Sequence, residues 1–246
     1  MSASASVRTR SHSRCPVIAA SQPTEAKSAP PKPIPVKIDF VSDVSCPWCA
    51  IGLKALEQAL DRLDGQVIAE IHFQPFELNP QMPAEGQDIG EHIRQKYGST
   101  SAQLAANREN IRARGEALGF VFSTDKRDRI YNTFDAHRLL HWAELEGCQQ
   151  ALKHALLRAY FTDGENVGSH GVLTRLAGEV GLSTARAREI LSSDTFATEV
   201  RAQERFYLSH GINSVPAVIV NERHLISGGQ PVEVFESALK QITGAA

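Results

Sequence analysis

The sequence predicts an α/β protein in which strand–helix units at the two ends of the folded chain enclose a long helical stretch. Three observations carry this. A β-branched and aromatic run over residues 36–44 passes at once into helical spacing. Helical periodicity then continues from about residue 89 to 211, and alternation from Val215 onward describes a hairpin followed by one more helix. The predicted order is β-α-β, helical insert, β-β-α.

Residues 36–52 read VKIDFVSDVSCPWCAIG, and the rest of the chain is arranged around them. Val36, Ile38, Phe40, Val41 and Val44 describe a short buried strand that runs into Cys46-Pro47-Trp48-Cys49. Ala50, Ile51, Leu53, Leu56, Leu60 and Leu63 recur at helical spacing, which puts Pro47 in the first turn, where its missing N–H costs nothing. Cys46 is thereby placed at a helix N-terminus. Unpaired N–H groups and the positive end of the helix dipole favour a thiolate there, so the first cysteine is expected to be the nucleophile. Cys49, one turn later on the inner side, is placed to resolve a mixed disulfide.

Gly65 breaks that helix, and Val67, Ala69, Ile71 and Phe73 then alternate with more polar neighbours over residues 67–78. A strand joined to the first through a helix should lie parallel to it. Asn79-Pro80 and Pro83 stop it. In the helical stretch, Gly119, Gly147, Gly164, Gly181 and Gly211 fall just past segment ends, as C-terminal caps do. The clearest apolar faces are Leu152, Ala155, Leu156, Ala159, Tyr160 and Leu173, Leu176, Ala177, Val180. So many helices between strands predict an inserted subdomain over residues 79–211, set into a sheet domain made of residues 36–78 and 212–246. Residues 215–220 and 223–226 form the hairpin, turning through Asn221-Glu222. After Gly228-Gly229, Pro231 opens a last helix that carries Val232, Phe235, Leu239 and Ile242 inward.

With 42% hydrophobic and 22% charged residues, the composition is globular and excludes a disordered chain. Residues 1–35 differ: they are rich in Ser, Ala and Pro, carry Arg8, Arg10, Arg14, Lys27 and Lys32 against Glu25 alone, and are expected to be a disordered tail. No apolar core follows the arginines, so the tail is not a secretory signal. It is read first as an extension on a cytoplasmic protein; the alternative is a transit peptide for an organelle, chloroplast or mitochondrion. The remaining residues carry 21 basic and 27 acidic side chains, which argues against a nucleic-acid partner. No apolar run approaches the length of a membrane span. Four cysteines, two of them in one CxxC, are too few for a disulfide-stapled scaffold. Cys15 and Cys148 stand alone, so zinc lacks a second ligand pair; His137 and His141 are four apart on a helix but without HExxH or a third ligand. No metal is expected, Cys15 is read as incidental, and Cys148 as a buried small residue.

These motifs, in this order, resemble the DsbA-like branch of the thioredoxin superfamily, and within it the FrnE-type oxidoreductases. The resemblance is carried by FVSDVSCPWCAIG (40–52), FQPFELNPQMPAEG (73–86), NTFDAHRL (132–139), AYFTDGENV (159–167), INSVPAVIVNERHLISGGQP (212–231) and VFESAL (234–239). It implies a thioredoxin fold with a large inserted helical subdomain, and a protein thiol–disulfide oxidoreductase or isomerase. Cys46 would attack, Cys49 resolve, and Pro47-Trp48 form the dipeptide between them. Pro216 matches the cis-proline that stands beside the redox pair, leaving the Val215 backbone free to pair with an extended substrate strand. Asn132, Thr133 and His137 lie in a family-like motif expected to face the site, and with Phe76 and Val215 to line the substrate groove.

The implied partners are proteins bearing disulfides or thiols, and no cofactor is required. An alternative follows from the resemblance of the SDV…P-W segment and the final glycine-rich turn to hydroxychromene-carboxylate isomerases and kappa-type glutathione transferases. Glutathione would then be a co-substrate in work on a small organic molecule. Those enzymes usually carry Ser where Cys46 stands, so the intact CPWC favours redox chemistry. The superfamily often places a buried acid six residues before the nucleophile, whereas Asp39 lies seven before Cys46, and only a bulge would bring it under the site. Asp39 and Asp43 are both expected to be structural or solvated. The Pro-Trp dipeptide supplies no cation to a thiolate, which predicts a less oxidising pair than in strongly oxidising DsbA-type enzymes.

Overall fold

Strand β1 (Ile34–Ser42) is the spine of the computed structural model, which describes residues 32–244. The expected tail, apart from its last four residues, and Cys15 lie outside the described residues. Ile34 and Pro35, read from sequence as tail, belong to β1, because they extend its pairing with the next strand.

Helix α1 (Pro47–Arg62) leads from β1 to β2 (Val67–Pro75), and the two strands pair in parallel without interruption from Ile34↔Val67 to Ser42↔Pro75. There follow β3 (Gln87–Asp88), α2 (Ile89–Tyr97), α3 (Ser101–Ala117), β4 (Arg129–Ile130), α4 (Phe134–Leu145) and α5 (Gln149–Arg158). A π-helical turn (Ala159–Asp163), α6 (His170–Glu179), α7 (Thr184–Leu191) and α8 (Ala197–Ser209) complete the stretch between strands. The chain then returns through β5 (Ala217–Val220), β6 (His224–Ser227) and α9 (Val232–Thr243). The sheet order is β2-β1-β5-β6, with β5 antiparallel to both β1 and β6. At the hairpin Asn221 and Glu222 both take positive φ, 51° and 56°, the turn whose twist suits paired strands.

The alternation of β1 divides the core. Val36, Ile38 and Phe40 point to the face covered by α1 and α9, where they meet Leu53, Leu56, Phe235 and Leu239. Val41 points to the other face and packs with Tyr207 of α8, Ile212 and Ala217. Each wholly buried Phe or Leu contributes about 1.5–3 kcal/mol, so the α1 face dominates the stability of the sheet.

The stretch read as continuously helical is not so throughout. α3 ends at Ala117, and residues 120–133 run as loop with the short β4, which pairs antiparallel with β3. The reason is aromatic packing: Phe120 and Phe122 turn inward to stack edge-on against each other and against Phe161 in the π turn. That apolar pair alternates as strands do, and it holds the loop extended beneath α3.

Candidate active site

Cys46 is the N-cap of α1, in extended backbone conformation, with Pro47 opening the helix. The amides of Cys49 and Ala50 donate to its carbonyl, so the CPWC loop is the first turn itself. Its thiol points toward the Val215 carbonyl, 3.8 Å away, and the Val215–Pro216 peptide is cis. Cys46 is 4% exposed and Cys49 not at all, so of the two residues only the first meets solvent. Both cysteines are free. Pro47 and Trp48 are half-buried around them, and Arg114 of α3 lies over the Trp48 ring at 5.2 Å, a neighbouring cation that the motif did not announce.

Close backbone packing builds the mouth. A Cβ on Gly229 would stand 2.8 Å from the Trp48 carbonyl, and one on Gly52 only 3.1 Å from the Pro216 ring. Glycine at these two positions lets the turn after β6 and the proline press directly against the first turns of α1.

Asp43 shapes the approach to Cys46 from below. Its carboxylate accepts from the Ser45 amide at 3.1 Å and the Leu78 amide at 2.7 Å, tying the β1–α1 turn to the segment after β2. His137 Nε2 stands 3.8 Å from the same carboxylate, ion-pair distance rather than a hydrogen bond. Burial opposes the charge on Asp43, but the His137 imidazole and the two amides outweigh it and hold its pKa below the ordinary range. Cys49 is affected in the opposite sense. Burial above all, then the Cys46 sulfur, push its thiol well up, while the Lys153 charge and the Asp43 backbone pull the other way.

Asp39 is buried but lies on the α8 face, where the Gln74 amide donates to it at 2.8 Å and Lys37 stands 3.5 Å away. No bulge interrupts β1, so the position six residues before Cys46 belongs to Phe40, packed edge-on against Phe73. Both acids are buried, so the solvated reading holds for neither. Phe76 and Val215 each pack against the cluster that holds Val41, and the Val215 carbonyl is the group that the Cys46 thiol faces. Asn132 is half-buried, its side chain donating to the Met82 carbonyl and accepting from the Phe134 amide. Thr133 and His137, each 3% exposed, face the interior: Thr133 begins α4, and His137 reaches Asp43, not a groove. His141 packs against Phe196 instead of joining His137, and no group of three metal-ligating side chains is found among the described residues. Cys148 is half-exposed at the N-cap of α5 rather than buried, because the Gly147 turn brings the chain to the surface there.

A sheet of this order, bearing a dithiol at the first turn of the helix after its central strand, defines a thioredoxin-fold thiol–disulfide oxidoreductase. The chain belongs to the DSBA-like thioredoxin domain family, which matches residues 37–240. It is 28% identical over 205 residues to the Bacillus subtilis protein YwbO, covering 83% of this chain and 96% of that one. Among solved structures, a probable DsbA oxidoreductase from Streptomyces coelicolor is 34% identical with a TM-score of 0.80, over 85% of this chain and 90% of that chain. The cytosolic disulfide reductase DsbM from Pseudomonas aeruginosa, solved with GSH, shares the fold at 19% identity and a TM-score of 0.56, over 84% and 98%. No helix among the described residues is long and apolar enough to cross a membrane.

Proposed function

We propose that the chain exchanges disulfides with protein substrates through Cys46 and Cys49, as an oxidoreductase and isomerase of the FrnE type. The observation that carries this is the placement of Cys46 at the α1 N-cap facing the Val215 carbonyl, with Cys49 enclosed one turn behind. In the reducing direction the Cys46 thiolate attacks a substrate disulfide, forming a mixed disulfide and expelling the other substrate sulfur as thiolate. Cys49 then attacks the Cys46 sulfur, closing the Cys46–Cys49 disulfide and releasing the second substrate thiolate. Oxidation of a substrate dithiol is the same sequence reversed. An extended substrate segment would pair with the Val215 backbone, so that main-chain bonds hold it while Phe76 and Trp48 shape its side-chain contacts.

The second reading, glutathione as co-substrate, is favoured by a groove of about 300 Å³ beside the site, lined by Ile51, Arg62, Arg114, Gly229, Gln230 and Pro231. Its size suits a small thiol and Arg114 supplies a cation, while Arg62 is already paired with Glu236 and with Glu233, which also lines the groove. Replacing Cys49 by Ala separates the two: the protein reading expects mixed disulfides of Cys46 with protein substrates and loss of turnover. Adducts with glutathione alone, with turnover surviving Cys49→Ala, would establish the second and sink the first.

A further inference from the structure

The helical insert delivers one side chain to the redox pair that neither the mechanism above nor the family motif uses. Gln149, at the start of α5, is pinned to the middle of β2: its side chain accepts from the Phe73 amide at 2.8 Å and donates to the Phe73 carbonyl at 3.0 Å. One turn later Lys153 is wholly buried, its Nζ 5.7 Å from the centre of the Phe73 ring and within hydrogen-bond distance of no protein group. Phe73 packs on Phe40, the residue that stands where an acid six positions before the nucleophile would be. A cationic side chain is thus enclosed in the core that holds Cys46 and Cys49, at a site where a bare ammonium is costly.

We propose that Lys153 is the proton acceptor for Cys49 in the resolving step. This rests on the reading of Cys49 as the resolving thiol. In the mixed disulfide, the Lys153 amine takes the proton from the Cys49 thiol. The Cys49 thiolate attacks the Cys46 sulfur, the bond from Cys46 to the substrate breaks, and the substrate sulfur leaves with the electron pair. Lys153 then carries the proton until solvent or the next substrate removes it; in the reverse direction it returns the proton to Cys49. In the dithiol state Nζ is not hydrogen-bonded to either sulfur. The proposal requires its flexible four-carbon stem to bring Nζ to the Cys49 sulfur, as resting-state geometry in acid–base catalysis is often looser than the reacting one.

The electrostatics agree. Burial lowers the Lys153 pKa, favouring the free amine, while Cys49, Asp43 and Cys46 are the charges that oppose this. Of the other titratable groups on the elements packed around α5, His72 of β2 pairs with Glu144 of α4 and Tyr160 of the π turn with Arg127, whereas His137 of α4 stands 3.8 Å from Asp43 without a hydrogen bond and His141 Nδ1 has no hydrogen-bond partner. The charges that act on Lys153 are Cys49, Asp43 and Cys46, so it responds to the charge state of the pair.

The test uses the full chain with Cys15→Ser and Cys148→Ser, reacted with excess Ellman's reagent in stopped flow. The first thionitrobenzoate is released at a rate proportional to reagent, reporting attack by Cys46. The second is released at a rate independent of reagent, reporting resolution by Cys49. For Lys153→Met the proposal expects the first phase to stay within twofold and the second to slow at least tenfold at pH 7. The slowed phase should keep rising with pH where the unsubstituted protein levels off. It also expects a higher thermal midpoint, since an unpaired buried amine is replaced by an apolar chain of similar length. Lys153→Gln, which cannot accept a proton, should show the same slow second phase. An unchanged second phase, or both phases slowed alike with a lowered midpoint, would overturn the role of Lys153. Release of a single thionitrobenzoate by the unsubstituted protein would instead overturn the reading of Cys49 on which it rests.

Discussion

Two buried acids stand four residues apart near the end of β1 and do different work. Asp39 lies on the α8 face, its carboxylate shared between Gln74 and Lys37 and close enough to Tyr207 that burial, then its charge, raise the tyrosine pKa well above the usual value. Asp43 lies past the strand end, clamps two amides, and joins His137 behind the redox pair. Burial alone does not place a carboxylate in a mechanism; its position relative to the sulfurs does. Here the strand supplies an aromatic ring under the cysteines, and the charged groups come from the turn and from the helical insert.

The largest effect that would sharpen this contrast is at the ring. Phe40→Ala, at a wholly buried position, should destabilise the fold by about 3–5 kcal/mol in urea unfolding. A cost under about 1 kcal/mol would mean that the α1 face is not the stabilising one. Asp43→Asn should cost about 2–3 kcal/mol, because one carboxylate oxygen facing an amide becomes a second donor, and should slow turnover. Asp39→Asn, where Gln74 and its partner can exchange roles by flipping, should cost only about 1 kcal/mol and leave turnover intact. Equal losses for the two acids would break the comparison.

Acid unfolding separates the acids further. The Asp43 pKa is lower folded than unfolded, so its contribution is fully present above the unfolded value of about 3.9 and is lost as pH falls through the folded value. Stability measured from pH 5 downward should fall less steeply in Asp43→Asn than in the unsubstituted protein; parallel curves would show that the carboxylate is not held in its charged form. A local effect is expected at Gly229→Ala, where the added methyl meets the Trp48 carbonyl: about 1 kcal/mol, with the loss confined to thiol reactivity and stability near the mouth.

Much of the site was legible because local chemistry wrote it. Pro47 at the first position of α1, the apolar spacing from Ala50 to Leu63 and the turn residues Asn221-Glu222 each obey short-range rules, and the structure places all of them as those rules require. What escaped depends on tertiary packing. Lys153 falls three and four residues before Leu156 and Leu157, on the buried side of α5, but a single lysine on an apolar face reads as a helix edge until β2 is laid against it. The pairing of β3 with β4 and the inward turn of Phe120 and Phe122 are likewise set by partners more than thirty residues away. Thr133 and His137 carried the right motif and the wrong orientation, since the residues of α4 that face the core are fixed by packing against α5 and α8, not by the motif.

Reactivity ranked against exposure is the most direct test of the central claim, that Cys46 is the attacking sulfur because of where α1 begins. Cys148 is half-exposed and Cys46 nearly buried, so access alone would favour Cys148. Limited iodoacetamide labelling of the reduced chain at pH 7, mapped by peptide mass, should instead modify Cys46 first, Cys148 more slowly and Cys49 last. Labelling of Cys148 ahead of Cys46 would contradict the account.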